Sequence, residues 1–361
     1  MKCTRRSIHI LQSFLLLLIL ALIIFVPPVF AYDFNDSHFH LTNYIQEGTD
    51  IHDFVKMLGT TIRRSTLFGI PLQQQWSYGN TGDFAPTYYT QTDAPLYYYS
   101  FTDAYIAMAY KSLNSEQQAR LDPMITGFNP TDMYAPDHIR RVLLTFPGVF
   151  SGIGEFTIHK EFVSAKVAGE TASILNPALD KILEFAGKVG LVVILHSDID
   201  MPFPKPEQEP YLVLQMKELF IRHPKTKIIW AHIGLGRIVR PVDQQAALIE
   251  RALKNPKLNH LSFDISWDEV AKYAVATPEA TKRIADLINR FPDRFLFGSD
   301  VVAPKNVEAM TRVFHMYDPL WKLLKPEASE KVRLGNYERL FDQARKDVRA
   351  WEQSNLKRRS K

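Results

Sequence analysis

Short apolar segments that end in a polar residue recur along this chain of 361 residues. Residues 191–196 (LVVILH), 227–232 (KIIWAH) and 295–300 (FLFGSD) are three of them. One strand with its helix and return needs about 30 residues or more, so the 36 residues from His196 to His232 fit one such unit. Strands that alternate with helices in this way predict parallel pairing and right-handed crossovers.

Further segments bring the count of strands to eight. Segment 152–156 (GIGEF) ends near Glu155, 41 residues before His196, and segment 261–265 supplies another strand further on. The 115 residues between His40 and Glu155 leave room for three units. The spacing therefore predicts an α/β fold of the (β/α)8 TIM-barrel type, whose chemistry lies at the carboxyl ends of the strands.

Helical patterns lie between these segments. Residues 176–188 open with a capping asparagine and a first-turn proline, and their apolar residues then follow at helical intervals. Similar patterns cover residues 207–222, 243–253, 278–290 and 306–316. We expect one barrel domain at residues 32–345, followed by a helical end and a basic tail at residues 346–361.

The N-terminus has the composition of an export signal. Lys2, Arg5 and Arg6 precede an apolar stretch at residues 14–26, and a small residue, Ala31, follows a proline pair. This order predicts a signal peptide, residues 1–31, and an exported protein that is periplasmic or extracellular. An uncleaved membrane anchor is the alternative, because extending the stretch upstream brings it near the roughly 20 residues of a membrane span.

Charge and cysteine content narrow the possible partners and cofactors. The net charge of +4 includes three basic residues of the predicted signal, so a mature chain would be near +1. Nothing in that charge favours a nucleic-acid partner, and we expect a small-molecule substrate.

The single cysteine, Cys3, lies in the predicted signal. Any metal must then be held by imidazole and carboxylate, a donor set that suits zinc or manganese.

An aromatic segment at residues 73–99 interrupts the regular alternation. It follows the predicted second strand at residues 62–70, so we expect a long loop at the catalytic mouth, where long loops are often functional. In one interpretation it forms a wall or lid over the substrate, with Trp76 as a candidate contact. In the other, its aromatic residues pack on the outside of the barrel.

Four histidines and two carboxylates stand at the ends of predicted strands. His38 and His40 are two residues apart on the first strand, so they point to the same side. The ends of the other strands converge on the same mouth of a barrel. The candidate ligands of a divalent metal are His38, His40, Glu155, His196, His232 and Asp300.

Some of these residues have more than one interpretation. Asp300 either caps the following segment or accepts a proton from water activated by the metal. Glu155 is a bridging ligand to a second ion, a hydrogen-bonding partner of another ligand or a residue that binds a loop, so the site holds one or two ions. Asp198 and Arg237 lie in predicted mouth loops as candidate substrate contacts, with Arg237 a possible carboxylate clamp.

Taken together, these motifs make the chain similar to the amidohydrolase superfamily, in particular its amidohydrolase-related branch. The similarity covers nearly all of the mature chain. The matching segments are DSHFHL at 36–41, AHIG at 231–234, FGSD at 297–300 and GNYERLF at 335–341. The resemblance implies a divalent metal, usually zinc, with His196 and His232 as ligands or as groups that stabilise an oxyanion.

The resemblance also implies a reaction. Activated water would attack an amide, an ester or lactone, or a phosphoester, with Asp300 and His232 as the predicted catalytic residues. The same branch contains decarboxylases of unsaturated or aromatic acids, which is the alternative. A glutamate at strand four, where many relatives have lysine, excludes a carbamylated lysine bridge there. A third possibility is a secreted binding protein without turnover, but Asp300 beside the ligands argues against it.

Overall fold

A computed structural model describes residues 33–202, 210–241 and 244–359. The predicted signal segment lies outside these residues and stays a prediction. Among the helices that are described, none combines the length and apolar character needed to cross a bilayer. The strands of this part are β1 Phe34–Asp36, β2 Phe39–His40, β3 Ile62–Leu67, β4 Leu72–Gln74, β5 Leu96–Tyr98, β6 Leu121–Ile125, β7 Gly152–His159, β8 Val192–Ser197, β9 Lys227–Trp230, β10 Leu261–Asp264, β11 Phe295–Leu296 and β12 Val301–Val302.

Helices follow most of the strands. The α-helices of the described residues are α1 Ile51–Leu58, α2 Tyr78–Thr81, α3 Phe101–Ser112, α4 Ser115–Ala119, α5 Ala135–Thr145, α6 Val163–Lys166, α7 Pro177–Val189, α8 Val213–Arg222, α9 Gln245–Leu253, α10 Asp268–Ala274, α11 Pro278–Arg290, α12 Val307–Met316, α13 Asp318–Trp321, α14 Pro326–Glu330 and α15 Asn336–Arg359. Helix α15 is continuous across the boundary predicted between residues 345 and 346.

Eight parallel strands form one curled sheet in the order β1, β3, β6, β7, β8, β9, β10 and β11. The first and eighth strands also meet, because β2 pairs in parallel with β12 and the Ser37 amide donates to the Phe297 carbonyl. The predicted α/β class and the count of eight parallel strands are confirmed. Their arrangement is consistent with a (β/α)8 barrel.

The helix signals of the sequence correspond to helix ends in the structure. The side chain of Asn176 accepts a hydrogen bond from the Ala178 amide at 2.9 Å, and α7 ends at Gly190 in the left-handed conformation. Helix α11 spans the predicted residues 278–290. Helices α8 and α9 begin later than predicted, and residues 203–209 and 242–243 before them lie outside the described part.

Alternation along the strands separates the inner face of the curled sheet, which we call the interior, from the face that packs against the helices. Val192 and Ile194 of β8 belong to the interior cluster, whereas Val193 and Leu195 pack with the surrounding helices. The same alternation turns His196 inward at the carboxyl end of β8. Helix α15 adds four residues to the interior cluster, namely Tyr337, Leu340, Phe341 and Ala344. This helix therefore covers the end of the curled sheet opposite to the predicted mouth.

The aromatic segment contains regular structure instead of being only a loop. Strands β4 and β5 pair antiparallel, with Gln73 opposite Tyr97. They pack over a small buried cluster that includes Tyr44, Leu72 and Tyr89. Trp76, by contrast, is 54% exposed, and its indole N–H donates to the Gly82 carbonyl. The segment thus has both buried and exposed aromatic side chains.

Candidate metal centre

The close approach of two strands positions Glu155 at the mouth. Gly154 has a φ of 110°, and a Cβ atom added there would lie 2.1 Å from the Ile194 carbonyl oxygen. Only glycine permits β7 to lie so close to β8 in this conformation. The next residue, Glu155, is 2% exposed.

Four of the predicted ligands form one compact group: His38, His40, Glu155 and Asp300, whose ligand atoms all lie within 4.8 Å of one another. His40 Nε2 is 3.1 Å from Asp300 Oδ1 and 3.4 Å from Glu155 Oε2. His38 Nε2 is 3.4 Å and 3.7 Å from the same two oxygens. Two imidazoles and two carboxylates therefore point at one small volume.

The donor atoms of this group fit a divalent cation. His38 Nδ1 is 3.1 Å from Asp264 Oδ2, while His38 Nε2 is buried and forms no hydrogen bond within the described part of the chain. A ring whose Nδ1 donates to a carboxylate presents the lone pair of Nε2 to a metal. Buried polar atoms without partners are rare in proteins. Imidazole and carboxylate together suit zinc and similar ions.

The charges of the site favour ionised carboxylates. Burial alone would raise the pKa of Asp300, but the neighbouring His38 ring and the hydrogen bond from His40 outweigh burial and lower it. Burial also opposes ionisation of Glu155, whose pKa is nevertheless lowered by Lys160 and His196. Both carboxyl groups are therefore available as anionic ligands.

His196 and His232 form a second group with Glu155. His196 Nδ1 is 2.5 Å from Glu155 Oε1, and its Nε2 is 3.2 Å from Asp198 Oδ1. Both nitrogens of this ring are thus occupied by carboxylates. His232 Nε2 lies 3.4 Å from Glu155 Oε1 and has no hydrogen-bond partner in the described chain, while its Nδ1 is 2.8 Å from Ser266 Oγ.

Backbone strain is concentrated at this mouth. His232 has a φ of 58°, Asp300 of 51° and Trp267 of 83°, all in the region that side-chain-bearing residues rarely adopt. Such conformations are typical of functional sites, where the surrounding structure maintains them. Here they turn the chain immediately after the sixth, seventh and eighth strands, where the candidate side chains lie.

Two supporting residues are absent from the sequence-based set. Asp264 is buried, contacts the His38 ring and accepts from the His232 amide at 2.8 Å. It is the polar residue at the end of the apolar segment 261–264. A polar residue in that position is the signal that predicts the other ligands. Lys160 lies 3.5 Å from Glu155 Oε1. It lies on the turn after β7, where no strand or helix pattern of the sequence indicates a functional residue.

The three predicted substrate contacts have different surroundings. Asp198 contacts His196 and accepts from the Glu161 amide, so its carboxylate supports the site. Arg237 donates to the Tyr89 hydroxyl at 2.9 Å and lies over the Tyr88 ring, at 5.9 Å from its centre. Trp76 has no contact with the ligand group among the described interactions. All three roles in substrate binding stay predictions.

Arg237 joins the aromatic segment to the mouth, and we expect its removal to loosen that segment. Arg237→Met eliminates the charged hydrogen bonds to the two tyrosines. A hydrogen bond to a charged group contributes about 1.5 to 3 kcal/mol, so amide exchange in residues 72–98 is expected to be roughly tenfold or more faster. Arg312→Met, at an exposed ion pair with Asp268, is the control. Unchanged exchange in Arg237→Met would contradict this role.

Two solved structures with TM-scores above 0.5 show the same fold as this chain. An amidohydrolase from Burkholderia multivorans with bound zinc has 13% identity and a TM-score of 0.51, covering 86% of this chain and 99% of its own. A protein assigned as a 2-pyrone-4,6-dicarboxylic acid hydrolase from Pseudomonas putida has 13% identity and a TM-score of 0.52, covering 86% and 98%. A 2,6-dihydroxybenzoate decarboxylase from Rhizobium has 14% identity and a TM-score of 0.44, covering 85% and 98%.

Sequence comparison identifies the family. No curated protein matches the chain in sequence. The family model described as amidohydrolase, however, matches residues 36–343, which include all the strands of the curled sheet except the start of β1. The matched region contains every candidate ligand named above. This chain belongs to the amidohydrolase family of enzymes.

Proposed function

We propose that this enzyme is a metal-dependent hydrolase on a closed (β/α)8 barrel, acting on an amide, an ester or lactone, or a phosphoester. The observation that carries the proposal is the group of His38, His40, Glu155 and Asp300 around one volume, in which the first three residues are buried and the Asp300 side chain is 6% exposed. These four residues would hold a divalent ion, for which zinc is our choice because of the donor set. Such an ion supplies an activated water and polarises the bond to be cleaved.

The chain's own residues would orient the substrate and move the proton. Asp300 Oδ2 lies 3.9 Å from His232 Nε2, so a proton accepted by the carboxylate can pass to a leaving group on that side. His232 is held by Ser266 and Asp264, and its Nε2 is free to donate to an oxyanion when protonated.

A substrate screen tests the proposal. Zinc-loaded enzyme is incubated with panels of esters, lactones, amides, phosphoesters and aromatic acids, and both hydrolysis products and carbon dioxide are measured. We expect hydrolysis in at least one of the first four panels. Release of carbon dioxide without hydrolysis would identify the enzyme as a decarboxylase, and activity in none of the panels would contradict the proposal.

Metal analysis is expected to give one ion per chain. A second ion would need Glu155 Oε1, but His196 and the Lys160 ammonium already approach that oxygen, and the ammonium repels a second cation. His40→Ala should lose the ion. His315→Ala is the control and should keep the ion, because the His315 side chain is 76% exposed. Two tightly bound zinc ions in the wild type would contradict this prediction.

A further inference from the structure

Lys160 is a buried cation beside the metal ligands. Its side chain is 10% exposed, and its ammonium lies 3.5 Å from Glu155 Oε1 and 5.5 Å from the centre of the Trp267 ring. Within the described part of the chain this ammonium donates no hydrogen bond, although it has three N–H groups. Buried charged groups are normally paired and hydrogen-bonded. Lys160 therefore has donors available for a group that is absent from the chain itself.

The other cation at the mouth differs from Lys160 in this respect. Arg237 also lies over the Trp267 ring, at 5.4 Å from its centre. Its guanidinium, however, donates to Tyr89 and contacts Glu269 and Tyr88. Of these two described cations over the Trp267 ring, Lys160 is the one whose N–H donors have no hydrogen-bond partner and lie next to the candidate metal ligands.

We propose that Lys160 binds a carboxylate group of the substrate, which makes the substrate an organic acid. This inference rests on the proposed function and specifies its substrate class. The centre of the Trp267 ring is 5.5 Å from the ammonium and 5.0 Å from the centre of the His232 ring. A planar acid bound beside this ring would reach Lys160 with its carboxylate. Its reacting bond would then face Asp300 and His232.

A carboxylate fits this position better than a phosphate group. Glu155 already places one anionic group beside the ammonium, at 3.5 Å. A ligand with two negative charges would be repelled more strongly than one with a single charge. The expected preference is therefore for monoanionic groups.

Equilibrium binding tests this role without turnover. Calorimetry is performed on zinc-loaded protein with benzoate, benzamide and phenylphosphonate. We expect the wild type to bind benzoate at least tenfold more tightly than the other two. Lys160→Met should weaken benzoate binding about tenfold or more, because a hydrogen bond to a charged group is lost. Benzamide binding should stay within about twofold, since the uncharged amide gains little from the ammonium.

A matched lysine provides the control. Lys254 pairs with Glu250 on an outer helix, and Lys254→Met should bind benzoate as the wild type does. Melting temperature and zinc content show that each variant is folded and loaded. Equal affinity for benzoate and benzamide in the wild type, or unchanged benzoate affinity in Lys160→Met, would overturn the inference. Either result would leave hydrolysis intact, because the substrate screen measures hydrolysis separately.

Discussion

Replacing Asp300 with asparagine is expected to lower the turnover number about a thousandfold, as removal of a general base typically does. The asparagine side chain keeps an oxygen 3.1 Å from His40 Nε2, in the position of a ligand, but it cannot accept a proton at neutral pH. Turnover is measured on the best substrate from the screen, with zinc content determined for each sample. This comparison separates loss of the base from loss of the metal.

The control for Asp300→Asn is Asp318→Asn, which changes a carboxylate whose side chain is 58% exposed. Its turnover should equal that of the wild type. If Asp300→Asn keeps its zinc and its turnover within tenfold of the wild type, then another group accepts the proton. The role proposed for Asp300 would then be wrong.

The largest expected loss of stability comes from Asp122→Asn, at the closed end of the barrel. Asp122 is fully buried and accepts two hydrogen bonds from the Arg64 Nη2 group, at 2.9 Å and 3.2 Å. It also accepts from the Tyr337 hydroxyl at 2.7 Å and from Arg345. Removing one partner of a buried ion pair costs about 3 to 5 kcal/mol in the free energy of unfolding. In this variant Arg345 loses its carboxylate partner, and Arg64 keeps only the exposed Asp342.

Urea denaturation of Asp342→Asn provides a matched comparison. Asp342 pairs with the same Arg64, but its side chain is 63% exposed. An exposed ion pair contributes about 0 to 1 kcal/mol, so this variant should unfold close to the wild-type midpoint. A similar shift in the two variants would mean that the buried network does not anchor α15.

Much of the fold could be predicted because its signals are local. Several strands of the curled sheet are short apolar runs with a polar residue at or just after the end, and several of the longer helices have a capping residue or a periodic apolar face. Asn176 and the segment 278–290 are examples in which the local signal and the observed helix agree. The six candidate ligands were found in the same way, since residues at strand ends converge in a barrel.

The rest depends on contacts between distant parts of the chain. Tyr89 meets Glu161 across 72 residues, and Arg237 meets Tyr89 across 148. No periodic pattern marks these pairs. Lys160 was missed for the same reason, because a lysine on a turn is normally exposed and only tertiary packing buries it here. Asp264, in contrast, stands at the end of an apolar strand, so the pattern that predicts the other ligands also predicts this residue.

Closure of the barrel by α15 has a consequence for protein synthesis. Tyr337, Leu340 and Phe341 complete an interior that the strands begin to form some 300 residues earlier. A growing chain therefore has an open, apolar barrel end until these residues leave the ribosome. A premature stop before residue 336 would release a product that exposes this surface. Such a product should aggregate, even when all twelve strands of the described part have been translated.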